Sequence, residues 1–222
     1  MFTKKLSNRE VKGIFNNEIV DNYGLIKDDI EHMRDVLETL LRIYDTSSDT
    51  IELKKYTSAL LSNTEALETI LSDEKKPAEK IIRSMARAVL DVSEYEKLII
   101  TGDCLDKEMT SRMLAVPAFN VVKNIGSYAT KEDSVKVDVS SDGEFLTLKT
   151  VNFTYENPDK KRIFDEGYTT SGDVDKGTGM YIVGKLAKEN GGSVHADVID
   201  MGQKRLFKFN LTVPLSVLGA AA

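Results

Sequence analysis

The apolar residues of this chain fall first into helical stripes and then into alternating runs. Ile26, Ile30, Met33, Leu37, Leu40 and Tyr44 are spaced alternately by four and three, the seam of a helix that lies along another helix. "DTSSDT" breaks the pattern, and Leu53, Tyr56, Leu60, Leu67 and Leu71 resume it, interrupted at Thr64. Residues 14–72 therefore read as an antiparallel helical hairpin with a short turn. Two helices share too little surface to cover a stripe on each, so a second hairpin is expected to complete a four-helix bundle in a homodimer. The alternative is a hairpin packed on the rest of its own chain.

"SDEKKPAEK" is charged and holds Pro77, which marks the boundary between a helical domain, 1–75, and a mixed domain, 76–222. In the second domain, 79–92 reads as a helix, "KLIITGD" as a strand, and 106–129 as one or two helices, with Pro117 leaving a kink open. "SVKVDVSSDGEFLTLKTVNF" reads as a hairpin turning at "SSDG". Residues 177–198, "GTGMYIVGKLAKENGGSVHADV", give a glycine turn, a helix, a double-glycine stop and a strand. In "KRLFKFNLTV", Phe207, Phe209, Leu211 and Val213 share one face. The expected fold class is α+β, a mixed sheet with helices on one side.

Composition narrows the partners. With a formal net charge of -6 and interspersed signs, there is no broad cationic surface for nucleic acid or anionic lipid, so neither is expected as a partner. A single cysteine, Cys104, excludes an internal disulfide framework and a cysteine-based zinc cage, which fits a reducing, cytoplasmic setting. No apolar run follows the N-terminus as in a signal peptide, and none is long enough to span a bilayer.

The helix start at Gly177 and Gly179 gathers unpaired N–H groups at the positive end of a helix dipole, where phosphate is the favoured guest. Two further stretches accompany it in order: "FNVVKNIGSYA" before it, and "KRIFDEGYTTSGDVDKGTGMYIV" running into it. Together with the hairpin they resemble the transmitter core of sensor histidine kinases, a dimerisation hairpin followed by a Bergerat-fold ATP domain of the GHKL type. The resemblance implies an N box in which Asn124 holds the magnesium of Mg·ATP, with Asn120 one turn earlier and Tyr128 one turn later. It also implies a phenylalanine-containing lid carrying Thr169 and Thr170, and a second glycine box at Gly177 and Gly179 that cradles phosphate.

Two departures shape the functional expectation. Where the family places an adenine-binding Asp followed by glycines, this chain reads "TVNFTYENPDKK", with Asn152 at the Asp position and Phe153, Thr154 and Tyr155 over the glycines. These bulky residues are expected to occupy room the family keeps for base and sugar, so no cofactor is expected. Where the phosphoacceptor histidine would stand in "NNEIVDNYGLIKDDIE", the residue is Asn17, followed by the matching Glu18 and Ile19. An amide nitrogen has a delocalised lone pair and cannot take a phosphoryl group.

The expected function is a two-component signalling adaptor, a pseudokinase similar to stand-alone histidine phosphotransferases, that binds a receiver domain or a histidine kinase. The alternative is an ATP-binding histidine kinase or phosphotransferase, with Glu18 as base and with His32, or a natural histidine replaced by Asn17, as acceptor.

Overall fold

Alternation decides the second half of the chain. In β5 (Phe145–Thr154) every second residue from Leu146 to Thr154 is buried, and in β4 (Val135–Ser141) Val135, Val137 and Val139 are buried in the same rhythm. The structure is a computed structural model and describes residues 38, 51–90, 95–170 and 178–220. The chain divides between Leu71 and Ser72 into two units.

In the first unit, α1 (Ile51–Leu71) is described as one helix. Its burial differs from the expected seam: Thr64, which interrupts the stripe, is buried, whereas Leu60 and Leu67 are about half exposed at 53% and 49%. Thr64 can be buried because its hydroxyl donates to the Leu60 carbonyl at 2.9 Å, so no polar atom is stranded. Of the other hairpin helix expected from the sequence, Glu38 alone is described, in helical conformation, and the rest falls outside the described residues.

The second unit is a layer of helices on one face of a mixed five-stranded sheet of order β2-β4-β5-β7-β6. β2 (Leu98–Thr101) runs parallel to β4, while β4, β5, β7 (Arg205–Pro214) and β6 (Ser193–Asp200) pair antiparallel. The parallel pair needs a crossover, and α3 (Ser111–Tyr128) supplies it. α2 (Ala78–Val89) and α4 (Gly179–Glu189) flank α3. Ile81, Ile82 and Met85 of α2, Leu114 and Val121 of α3, and Val183 of α4 are buried, as are Leu146 and Leu148 of β5 and Phe209 and Leu211 of β7.

The stretch around Pro77, read from the sequence as a boundary, is a short strand. β1 (Lys75–Pro77) pairs antiparallel with β3 (Glu108–Thr110), so the helix expected from residue 106 begins at Ser111. α3 runs through Pro117 without dividing. The "SSDG" turn forms as expected: the Asp142 carboxylate accepts the N–H groups of Glu144 and Phe145 at 2.9 and 2.7 Å.

The double glycine ends α4. Gly191, at φ +73°, takes the left-handed position after the helix, and Gly192 N–H reaches back to the Ala187 carbonyl at 2.8 Å. A Cβ on Gly192 would lie 2.1 Å from the Thr212 carbonyl oxygen, so only glycine lets the chain enter β6 this close to β7. Among the described residues no helix is long and apolar enough to cross a membrane.

Candidate functional site

A cavity of about 220 Å³ opens in the second unit between α3, the core face of β5 and β7, the start of α4 and the segment 156–170. On α3, Asn120, Asn124 and Tyr128 are spaced by four, which puts all three on one stripe facing the cavity. On β5, Thr150, Asn152 and Thr154 continue the face that Leu146 and Leu148 bury, so the same alternation that builds the core builds a polar wall. Thr169 and Thr170 line the cavity from the lid segment, and Gly179 from the first turn of α4. Seven of the sequence-derived candidates therefore border one space. Asn17, Glu18, His32 and Gly177 lie outside the described residues.

Asn120 is held by its own helix, its Nδ2 donating to the Val116 carbonyl at 2.9 Å. Its Oδ1 would lie 3.0 Å from a Cβ on Gly179, so glycine there lets the start of α4 close onto α3. Asn124 is half-buried at the cavity wall, and its carboxamide makes no hydrogen bond among the described residues. One amide is a single oxygen ligand. It fits magnesium only when phosphate oxygens complete the coordination, and no group of three acidic, histidine or cysteine side chains among the described residues could hold a metal alone.

The strand wall is neutral. Asn152 is 4% exposed and donates through Nδ2 to the Phe153 carbonyl at 3.2 Å. Thr150 is 1% exposed, and its hydroxyl has no partner among the described residues. Lys123 and Glu156 are the charged residues of the lining, and both are exposed.

The bulk expected to fill this wall lies elsewhere. Phe153 and Tyr155 alternate away from Asn152 and Thr154, and Lys204 Nζ stands 5.9 Å from the centroid of each ring. Lys204 is held at 2.9 Å by Glu132 and at 2.6 Å by Asp133, and the Tyr155 hydroxyl donates to Glu132. That bond and the ammonium push the Glu132 carboxyl down to about 2, and Lys204 with the Thr130 hydroxyl also holds Asp133 below the usual carboxylate range. The expectation that Phe153 and Tyr155 crowd the cavity fails because strand register sends them to the other face.

The segment before α4 is pinned through Ile163, which is buried, and Phe164, whose ring lies 6.3 Å from that of Phe209 and whose Cβ sits over Gly184. Thr150, Thr154, Phe207 and Phe209 also line the cavity and were missed as site residues. Alternation from Leu146 was the signal that could have found the first two.

No family model and no curated protein matches the sequence. Among solved structures, the chain is similar to the mycobacterial sensor histidine kinase MprB, with 15% identity and a TM-score of 0.50, over 64% of this chain and 97% of that one. It also matches a nucleotide-free catalytic domain of histidine kinase ThkA, with 18% identity and a TM-score of 0.49, over 64% of this chain and 95% of that one. Full-length ShkA in complex with AMPPNP matches over 87% of this chain and 46% of its own, at 19% identity and a TM-score of 0.47. At 15% identity the match to MprB concerns the fold alone: a helix layer on a mixed sheet, as in that sensor histidine kinase.

Proposed function

We propose that this chain is a two-component signalling adaptor with the architecture of a histidine phosphotransferase, which docks a receiver domain or a histidine kinase and relays no phosphate. Its second unit serves as a nucleotide-responsive wing whose cavity admits an adenine nucleotide with magnesium. The observation that carries the reading is the strand wall. Phe153 and Tyr155 turn away and leave the cavity open, and the base end presents the neutral Asn152 amide where a catalytic family member has a carboxylate.

The helical side supports it, because Asn120, Asn124 and Gly179 border the same space and the start of α4 offers N–H groups to phosphate. Relay is excluded in this reading by Asn17, which cannot act as the nucleophile. Leu60 and Leu67, seven residues apart and half exposed, provide the apolar stripe that a second copy would cover in a homodimer.

The test is label transfer. The full chain is incubated with magnesium and γ-labelled ATP, and separately with a phosphorylated receiver domain. The adaptor reading expects no label on the chain in either case. Acid-labile label that disappears in His32→Gln would instead establish the histidine kinase or phosphotransferase.

A further inference from the structure

The segment that borders the cavity ahead of α4 closes on itself. The Asp159 N–H donates to the Tyr168 hydroxyl oxygen at 2.6 Å, which ties the entrance of residues 159–168 to their exit. Between the tied ends, the N–H groups of Arg162 and Ile163 reach back to the Asp159 carbonyl at 2.9 and 3.1 Å. The Asp165 N–H donates to the Arg162 carbonyl at 2.8 Å, and the Tyr168 N–H to the Asp165 carbonyl at 3.2 Å. Successive turns whose ends meet make a compact surface loop held largely by its own groups.

Side chains fix this loop in two places. In its middle, Ile163 is buried, Phe164 Cβ packs over Gly184 of α4, and Lys160 reaches Asp197 of β6 at 3.2 Å. At its exit, where Tyr168, Thr169 and Thr170 line the cavity, the hold is Tyr168 itself. The Tyr168 ring lies under the Arg162 guanidinium, with Cζ 5.1 Å from the ring centroid, and Arg162 Nε stands 3.7 Å from Asp165 Oδ2.

We infer that Tyr168 is a positioning residue whose hydroxyl latches the exit of this loop to its entrance. The latch sets where Thr169 and Thr170 stand at the cavity, and it orders that wall before any ligand arrives. A wall already ordered in the empty protein costs a ligand less to meet than one that must be ordered on binding. The role in ligand binding rests on the reading of the cavity as a nucleotide site, whereas the latch itself belongs to the empty protein. Tyr168→Phe separates the hydroxyl from the packing, because the ring stays against Arg162 and only the acceptor for the Asp159 N–H is removed.

The test uses the isotopically labelled full chain without ligand, as wild type and as Tyr168→Phe. Loss of the latch is expected to speed amide proton exchange at Asp159 about fivefold, the protection that one hydrogen bond supplies. Backbone order parameters are expected to fall at Thr169 and Thr170 and to hold at the anchored Ile163 and Phe164. The non-hydrolysable imido analogue of ATP is then titrated with magnesium into both proteins, with affinity about threefold to fivefold weaker expected in the variant.

Unchanged exchange at Asp159 would overturn the inference, as would a loss of order that spreads to Ile163 and Phe164 and so marks general loosening. Equal affinities alongside a released Thr169 and Thr170 would overturn the positioning role. If the analogue does not bind the wild type at millimolar concentration, the nucleotide reading fails and the empty protein decides. Faster exchange at Asp159 with order lost only at Thr169 and Thr170 then upholds the latch, and any other pattern overturns it.

Discussion

The two walls of the cavity were built by different rules. The helical wall places Asn120, Asn124 and Tyr128 by spacing within α3, and Gly179 by the close approach of α4 to Asn120. The strand wall places Thr150, Asn152 and Thr154 by register, since β5 pairs Thr150 with Phe209 and Asn152 with Phe207 on β7. A one-residue slip would exchange Asn152 for Phe153 and close the cavity. A motif read as a string therefore transfers well to a helix stripe and badly to a strand, where a bulky residue is harmless or blocking according to its parity.

The largest break in this comparison comes at Phe209, which is buried, lines the strand wall and packs near Phe164. Phe209→Ala is expected to destabilise the second unit by about 3–5 kcal/mol in a urea titration. A loss below about 1 kcal/mol would mean that the wall does not depend on this packing.

A smaller effect of opposite sign is expected at Thr150. Thr150→Val removes a buried hydroxyl that lacks a partner among the described residues and keeps the side-chain shape, so the ligand-free protein should gain about 1 kcal/mol. Destabilisation by a similar amount would show that the hydroxyl has a partner, such as an ordered water.

The smallest effect is expected on the outer face, at Lys204. Glu132 and Asp133 have depressed folded-state values, so their contribution is complete above the ordinary carboxylate range. For Glu132 it fades as pH falls from 4.5 toward about 2. The difference in urea midpoint between the wild type and Lys204→Met should therefore be larger at pH 7 than at pH 3. These charges are exposed, so the difference at pH 7 should be modest, and a gap that grows on acidification would reject the assignment.

Much of the second unit was legible because its signals are local. Alternation gave β4 through β7, "SSDG" gave the turn at Asp142, and the double glycine gave the end of α4. β1 and β3 were not legible, since three residues each carry no period and Pro77 reads as a break. Pro77 sits at the end of β1, opposite Glu108.

The candidate site divides the same way. The α3 stripe could be read from "NVVKN", and the polar continuation of the Leu146 face could have been read but was overridden by motif alignment. The Lys204 cluster could not, because Thr130, Asp133, Tyr155 and Lys204 meet only after the strands have paired.

Whether an open cavity in a kinase-type fold still admits an adenine nucleotide is decided by calorimetric titration. The non-hydrolysable imido analogue of ATP, with magnesium, is titrated into the full chain. Saturable heat that is lost in Asn124→Ala is expected, together with stabilisation of roughly 2.7 kcal/mol at a hundred times the dissociation constant. No heat and no stabilisation at millimolar nucleotide would contradict it, and would make the cavity inherited architecture rather than a binding site.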